Sequence, residues 1–313
     1  MRNGRGASSG RRPALRSGGL NESSALPASP GPVVLALFES GRPSSCLRWA
    51  ARLARDARTH LHVVRVLPEE EDVGCALGSH NALAILRAVE HTLVSHRATC
   101  SWLRQLSSAD SVPRRFSIVR GEFVTQVARY VEQVQAQLLL LPPRTDGVSE
   151  LVAELSARTR TPVLVSRRPC TLQTIVAATD LRDSEYPVLR FAGALGGRLN
   201  SDIVAVHNLD PQPVAGSEAL RAPADVLRGE PGRAAGMARL RRASQQVLAP
   251  VQAVVRDDAD PVDAILDEAR ARDAHLVVVG LRPGRRRSGV AARVVDLAQR
   301  SVLVIPISHE GEP

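Results

Sequence analysis

Residues 175–209 read IVAATDLRDSEYPVLRFAGALGGRLNSDIVAVHNL, and this stretch decides the fold. It opens with an apolar run that has no polar alternation, which is typical of a strand covered on both faces. Apolar residues then recur at helical spacing (Val188, Phe191, Ala192 and Leu195), and a second apolar run follows at 203–206. A strand, a helix and a strand in this order predict a parallel βαβ unit.

The same order occurs earlier in the chain. Residues 33–67 read VVLALFESGRPSSCLRWAARLARDARTHLHVVRVL, and a shift of 142 residues aligns Leu47-Arg48-Trp49-Ala50 with Leu189-Arg190-Phe191-Ala192. The apolar runs at 138–141 and 276–279 also correspond. An internal repeat of this length predicts two copies of one structural unit. We call them unit one and unit two.

Each unit alternates short apolar runs with helical patterns. Five strands alternating with helices predict an α/β fold of two tandem, doubly wound, five-stranded parallel sheets. We expect unit one over 32–168 and unit two over 172–308, after a disordered basic tail over 1–31 that is poor in apolar residues. The predicted strands are 33–37, 61–66, 115–119, 138–141, 162–166, 175–178, 203–206, 251–255, 276–279 and 301–305, and the longest predicted helix is 80–107.

Composition limits the functional classes. The net charge is +9, but the chain has no lysine among its 41 basic residues, and five arginines lie in the first sixteen positions. Because the charge is partly a property of the tail, we expect no sequence-specific nucleic-acid binding. No apolar run reaches the length of a membrane span, about 18 residues. The four cysteines fit no zinc or disulfide spacing, which favours reduced thiols in a cytoplasmic protein.

Ligands of doubly wound sheets bind beyond the carboxyl ends of the strands. Asp180 follows the first strand of unit two, where a carboxylate can accept hydrogen bonds from a ribose or an adenine amine, or can cap the next helix. Residues 280–289, GLRPGRRRSG, follow the fourth strand. Their glycines and arginines suit a phosphate group, and the alternative is a solvated basic turn. We expect His60 and His62 to lie on the surface.

The repeated pattern resembles the universal stress protein family (UspA-like) in its tandem two-domain form, over nearly all of residues 32–307. The closest stretches are 176–180, 203–207, 260–265 and 277–306. The resemblance implies a sheet of order 3-2-1-4-5, similar to the adenine nucleotide alpha hydrolase-like fold. Some members bind ATP through an Asp after strand one, backbone after strand two and a loop G-x2-G-x9-G-(S/T).

Carried onto this chain, the resemblance implies ATP with Mg²⁺ in unit two, and no metal-binding side chains are assigned. Asp180 would hold the adenosine part, next to the backbone at His207 and Asn208. The phosphates would meet Gly280, Arg282, Gly284, Arg285, Ser288 and Gly289. The chain departs from the family loop because Gly284 comes one residue late, the nine-residue stretch is much shorter, and the closing pair is inverted as Ser288-Gly289.

Unit one departs further. Phe38 replaces the Asp, Pro142-Pro143 replaces the first glycine, and Ser149-Glu150 corresponds to the closing pair. We expect no nucleotide site there, and a structural role as the pseudo-dimer partner of unit two. The last strand of unit two is expected to form a sheet-edge contact, either within this chain or with a second copy in a homodimer.

The function expected from the sequence is therefore that of a non-catalytic stress-response regulator that takes ATP in unit two. The alternative is an interaction or dimerisation module of the same fold that binds no nucleotide. An enzyme is not expected, since a Walker A loop requires lysine and no carboxylate pair with metal spacing is visible.

Overall fold

A computed structural model describes residues 31–38, 44–68, 114–143, 147–167, 172–183, 185–209, 229–247, 249–282 and 289–307. The predicted tail, up to residue 30, and the predicted helix 80–107 lie outside the described residues. All ten predicted strands are present, and most of their ends agree with the sequence pattern to within one or two residues.

Unit one contains five strands and three described helices. Its elements are β1 (Val33–Leu37), α1 (Ser44–Asp56), β2 (Leu61–Leu67), β3 (Arg114–Arg120), α2 (Phe123–Gln133), β4 (Leu138–Leu141), α3 (Val148–Thr159) and β5 (Val163–Val165). The apolar run of β4 is buried at all four positions, as expected for a strand covered on both faces.

Unit two repeats this order. Its elements are β6 (Thr174–Ala178), α4 (Pro187–Leu199), β7 (Asp202–Asn208), α5 (Gly229–Ser244), β8 (Val251–Arg256), α6 (Pro261–Ala271), β9 (Leu276–Leu281), α7 (Val290–Leu297) and β10 (Ser301–Pro306). Asp260 caps α6 by accepting a hydrogen bond from the backbone N–H of Val262 at 2.9 Å, and Pro261 opens the helix where its missing N–H costs nothing.

The ten strands form one sheet, whereas the sequence predicted two. The order is β3-β2-β1-β4-β5-β10-β9-β6-β7-β8, so each unit has the expected order 3-2-1-4-5. Within each unit the strand pairs are parallel. The units meet where β10 pairs antiparallel with β5, so the edge contact left open by the sequence lies within the chain.

We call the β5–β10 pairing the seam. Leu164 faces Leu303, with Val165 opposite Val302 and Val163 opposite Val304. The internal repeat also aligns 163–165 with 302–304. The seam therefore has a local two-fold axis that passes between Leu164 and Leu303. An antiparallel seam makes the strands of the two units run in opposite directions. The carboxyl ends of the parallel strands in unit one and unit two therefore lie at opposite edges of the sheet.

Helices cover both faces of the sheet. One apolar cluster joins the sheet to α1, α4 and α5, and it contains Leu164 and Leu303. The other joins the opposite face to α2, α3, α6 and α7. Each cluster runs through both units without a break at the seam. The two units thus share their cores.

The surface prediction for the histidines of β2 is half wrong. His60 is exposed, but His62 is buried and points at Tyr130 of α2, with Nδ1 3.3 Å from the Tyr130 hydroxyl. That hydroxyl also lies 3.1 Å from the Ser117 hydroxyl on β3. Burial is the main cause that lowers the pKa of His62, followed by the charge of Arg115. His62 is buried because α2 covers this face of β2.

Candidate functional site

A cleft of about 190 Å³ opens at the carboxyl edge of unit two. It lies between the ends of β6, β7 and β9 and the first residues of α6 and α7. We call it the unit-two cleft, and it brings together five of the predicted site residues: Asp180, Asn208, Gly280, Arg282 and Gly289. The other three, Gly284, Arg285 and Ser288, lie outside the described residues.

Asp180 and Arg282 are paired with each other across the cleft. The guanidinium Nη2 of Arg282 donates to both carboxylate oxygens of Asp180, at 3.4 and 3.2 Å. The Asp180 side chain is 50% exposed and that of Arg282 is 27% exposed. Asp180 also accepts a hydrogen bond from the backbone N–H of Arg182 at 3.1 Å, which fixes the turn after β6. It does not cap α4, which begins after Tyr186 without a side-chain cap.

Asn208 holds the floor of the cleft. Its side-chain oxygen accepts from the backbone N–H of Asp258 at 3.1 Å, and its side-chain nitrogen donates to the Asp258 carbonyl at 3.0 Å. This clamp joins the ends of β7 and β8. The Asn208 amide is therefore used for structure, and its contribution to a ligand would come from the backbone beside it, as the resemblance implies.

Gly280 is closely packed. A Cβ atom built on Gly280 would lie 2.3 Å from Ile307 Cδ1 and 3.0 Å from Val188 Cγ2, so the Ile307 side chain would have to shift to admit one. The glycine that the sequence assigned to phosphate contact thus also sets the shape of the inner wall of the cleft.

The first turn of α7 forms the opposite wall. Gly289 is its N-cap residue and makes no side-chain cap, so that residue supplies no acceptor to the first backbone N–H groups of the helix. Free N–H groups at a helix start attract anions. By contrast, α6 next to it carries the Asp260 cap. Among the residues that the structure describes, the N-cap residue of α6 is a carboxylate that accepts a backbone N–H, and the N-cap residue of α7 is a glycine.

Asp260 also ties the two helix starts together. Arg293 of α7 donates to both Asp260 oxygens, Nη1 at 3.2 Å and Nη2 at 2.6 Å. The hydrogen bond from Arg293 is the main cause that lowers the pKa of Asp260, followed by the hydrogen bond from the Val262 backbone. This bidentate pair fixes α7 relative to α6, and with it the position of Gly289. Sequence reasoning missed both residues, although an Asp before Pro261 is a recognisable helix-cap signal.

Unit one has aromatic rings at the corresponding strand and helix ends. Phe38, at the position of Asp180, stacks on Phe123, with ring centroids 4.0 Å apart and planes 19° from parallel. Phe123 is the first residue of α2 and corresponds to Pro261 of α6. Sequence reasoning identified Phe38 as a departure but missed its partner. The signal was available, since both substitutions are aromatic in a chain with only 3% aromatic residues.

A carboxylate occupies the start of α3. Asp296 of α7 accepts from the Ser149 hydroxyl at 2.7 Å and from the Ser149 backbone N–H at 3.3 Å. Helix α3 begins after Gly147, as α7 begins after Gly289, so Gly147 is the structural counterpart of Gly289. Ser149-Glu150, predicted to match the closing pair of the loop, lies instead within the first turn of α3.

Two properties of the described residues bear on other functions. No helix in these ranges combines the length and the apolar character that crossing a membrane requires. Within the same ranges, no three His, Cys, Asp or Glu side chains are grouped as a metal site would need.

Comparison with known proteins supports the resemblance. Residues 171–306 match the model of the Universal stress protein family, so unit two carries a universal stress protein domain. No curated protein matches the chain significantly.

Three solved structures match 88% of the chain. They are a universal stress protein from Archaeoglobus fulgidus DSM 4304 (12% identity, 98% of that chain, TM-score 0.57), a putative universal stress protein from Pseudomonas aeruginosa UCBPP-PA14 (18%, 92%, 0.54), and a functionally unknown protein from Pseudomonas aeruginosa PAO1 (18%, 92%, 0.53). At this identity the likeness shows the fold alone, and it extends across both units.

Proposed function

We propose that this protein is a non-catalytic, cytoplasmic stress-response regulator that binds ATP with Mg²⁺ in unit two. One observation carries the proposal: the unit-two cleft places a carboxylate, Asp180, opposite the uncapped start of α7 and beside the guanidinium of Arg282. A carboxylate suits hydroxyl and amine donors, whereas a helix start and a guanidinium suit phosphate.

Each residue then has a defined role. Asp180 would accept hydrogen bonds from the ribose or the adenine amine, and the backbone beside Asn208 would line the adenine side. The backbone N–H groups of α7 and the guanidinium of Arg282 would meet phosphate oxygens. Gly284, Arg285 and Ser288 are assigned to the phosphates by the resemblance. The metal would neutralise phosphate charge, and we assign no side chain to it.

The volume of the unit-two cleft shows how well a nucleotide would fit into it. Its volume of about 190 Å³ is below the range of about 300–1,000 Å³ that is usual for small-molecule sites. Arg282 lines the cleft while it is paired with Asp180, so releasing this side chain would widen it. The chemistry of the wall fits a nucleotide, and the volume requires that Arg282 move when one enters.

Calorimetric titration with ATP and Mg²⁺, with AMP alongside, tests the proposal directly. We expect about one equivalent of nucleotide per chain, because unit one has Phe38 where unit two has Asp180, and tighter binding of ATP than of AMP. No heat and no thermal stabilisation at millimolar ATP would contradict the proposal.

The Asp180→Ala variant tests the site assignment. Losing a charge-assisted hydrogen bond costs about 1.5–3 kcal/mol, or roughly a tenfold to 150-fold loss of affinity. Asp267→Ala is a matched control, because Asp267 lies on an exposed face of α6 and pairs with Arg270 there. If Asp180→Ala binds ATP as wild type does, the adenosine part is held elsewhere.

A second function is favoured by the Asp180–Arg282 pair itself. Two residues that satisfy each other's charge form a complete surface without a ligand. Under this reading the protein is an interaction module that binds no nucleotide and uses its basic tail for acidic partners. Deleting residues 1–31 separates the two functions, because it would weaken partner binding here and leave ATP binding unchanged under the first proposal.

A further inference from the structure

The pairing of Arg282 with Asp180 sets up a competition inside the cleft. Both oxygens of Asp180 face the same guanidinium nitrogen, Nη2, at 3.4 and 3.2 Å. These are the oxygens that a ribose or an adenine amine would use. A ligand that approaches Asp180 therefore has to displace Arg282, and the free energy of the ion pair is subtracted from its binding.

Ligands differ in whether they offer the displaced guanidinium of Arg282 a new anionic partner. An uncharged nucleoside occupies Asp180 and leaves the guanidinium without its counter-charge. A nucleotide occupies Asp180 and also offers phosphate oxygens, which guanidinium binds with two parallel hydrogen bonds. The lost contact is then replaced by one of the same kind. Only a ligand that carries phosphate therefore offsets the free energy lost when the Asp180–Arg282 pair is broken.

We infer that Arg282 is a specificity-determining residue that makes the unit-two cleft select phosphorylated nucleotides over nucleosides. This inference rests on the proposed function. Arg282 is part of the wall in both states, bound to Asp180 when the cleft is empty and to phosphate when it is filled. The selection comes from the exchange of partners by one side chain.

The expected change in ligand affinity follows from the solvent exposure of the Asp180–Arg282 pair. The Asp180 side chain is 50% exposed, so the pair is a partly screened surface ion pair. Such pairs contribute little, so releasing Arg282 should change nucleoside affinity by about twofold to fivefold. The gain from a guanidinium–phosphate contact is larger, because charge-assisted hydrogen bonds are among the strong ones, and we expect about tenfold for ATP.

The diagnostic result is a change of opposite sign. In Arg282→Gln, adenosine should bind about twofold to fivefold more tightly than in wild type, because Asp180 no longer has a cationic competitor. ATP and AMP should bind more weakly, ATP by about tenfold, because the phosphate loses its guanidinium. A variant that merely distorts the cleft would weaken all three ligands together.

The experiment is a calorimetric titration of wild type, Arg282→Gln and Arg300→Gln with adenosine, AMP and ATP. Arg300→Gln removes the same charge from an exposed pair with Asp273, just beyond the far end of α6. We expect it to leave the affinities for all three ligands close to those of wild type. Thermal denaturation of each protein checks that the fold is retained.

The outcomes separate the inference from the proposed function. If wild type binds ATP but adenosine binding does not strengthen in Arg282→Gln, including the case where it stays below detection, Arg282 is not the selector and the nucleotide proposal stands. If wild type and Arg282→Gln both bind none of the three ligands at millimolar concentration, the proposed function fails and the inference fails with it.

Discussion

Unit one ends its first strand with Phe38 and unit two ends its first strand with Asp180, on backbones of the same strand order. Phe38 stacks on Phe123, and the nearby start of α3 receives the carboxylate of Asp296. This edge of unit one thus has an aromatic pair from its own side chains and a carboxylate from unit two. Asp180 instead faces the guanidinium of Arg282.

This difference is made by few residues. The sheet order and the buried strands are common to both units. Aromatic residues at one strand end and one helix start, together with one aspartate from the neighbouring unit, change the chemistry of this edge in unit one. The two units therefore share a frame and differ in the side chains at their carboxyl edges.

The largest effect should come from breaking what the units share. Leu164 and Leu303 face each other at the seam and are 2% and 1% exposed. Replacing either with alanine should lower the free energy of unfolding by about 2–5 kcal/mol, through lost burial and the cavity left behind. Urea denaturation measures this. Leu297→Ala, at a position 56% exposed, is the control and should cost less than about 0.5 kcal/mol. Clearly unequal losses at the two leucines would contradict a symmetrical seam.

Exchanging the residues that distinguish the clefts should have the next largest effect. Asp180→Phe gives unit two the side chain of unit one and should weaken ATP binding by about tenfold to hundredfold, because it removes the charged acceptor. The reciprocal Phe38→Asp should create no binding in unit one, since Phe123 and Asp296 remain. Calorimetry on both variants measures this. A gain of a second equivalent in Phe38→Asp would show that the aromatic residue alone closes unit one.

A smaller effect is expected where unit two caps unit one. Asp296→Ala removes the acceptor for both donors of Ser149 at the start of α3, and should destabilise the protein by about 1 kcal/mol, as loss of a helix cap does. Thermal or urea denaturation measures the change, and Ser149→Ala should reproduce most of it. If the stability loss of the double variant equals the sum of the losses of the two single variants, the two side chains act independently. Asp296 would then not cap α3 through Ser149.

The smallest effect concerns the two equivalent caps, Glu122 of α2 and Asp260 of α6. Hydrogen bonds from Thr125 chiefly lower the pKa of Glu122 below 4.5, and the one from Arg293 chiefly lowers that of Asp260 below 3.8. Because each folded pKa lies below the unfolded value, the unfolded chain binds more protons in acid. The stabilisation is complete above pH 4.5 for Glu122 and above 3.8 for Asp260, and is lost as pH falls through the folded values.

The acid limb of a denaturation series from pH 6 to pH 2 measures this pair of caps. Glu122→Gln should flatten the curve from about pH 4.5 downward and Asp260→Asn from about pH 3.8 downward. Both groups lie near the surface, so the changes should be small. A curve for Asp260→Asn that is as steep as that of wild type would mean that the Arg293 bridge does not persist in solution.

The sequence predicted the elements well because their signals are local. Apolar runs place β4 and β9, and Pro261 places the start of α6. The joining of two sheets into one could not be predicted, because identical strand patterns pair equally well within a chain and between chains. The burial of His62 depends on Tyr130, which is 68 residues away. The Asp180–Arg282 pair joins residues 102 positions apart, and no periodicity reports such a contact.

Because the seam joins β5 to β10, it can form only after nearly all of unit two has been synthesised. Arg167, which follows β5, precedes Ser301, the first residue of β10, by 134 residues. At about 5–20 residues per second on the ribosome, β5 waits roughly 7–27 s before its partner strand exists. During that time its apolar edge, Val163-Leu164-Val165, can pair with any similar strand, including β5 of a neighbouring nascent chain. Crowded translation would thus favour exchanged dimers, and slow translation of unit two would lengthen the exposure of that edge.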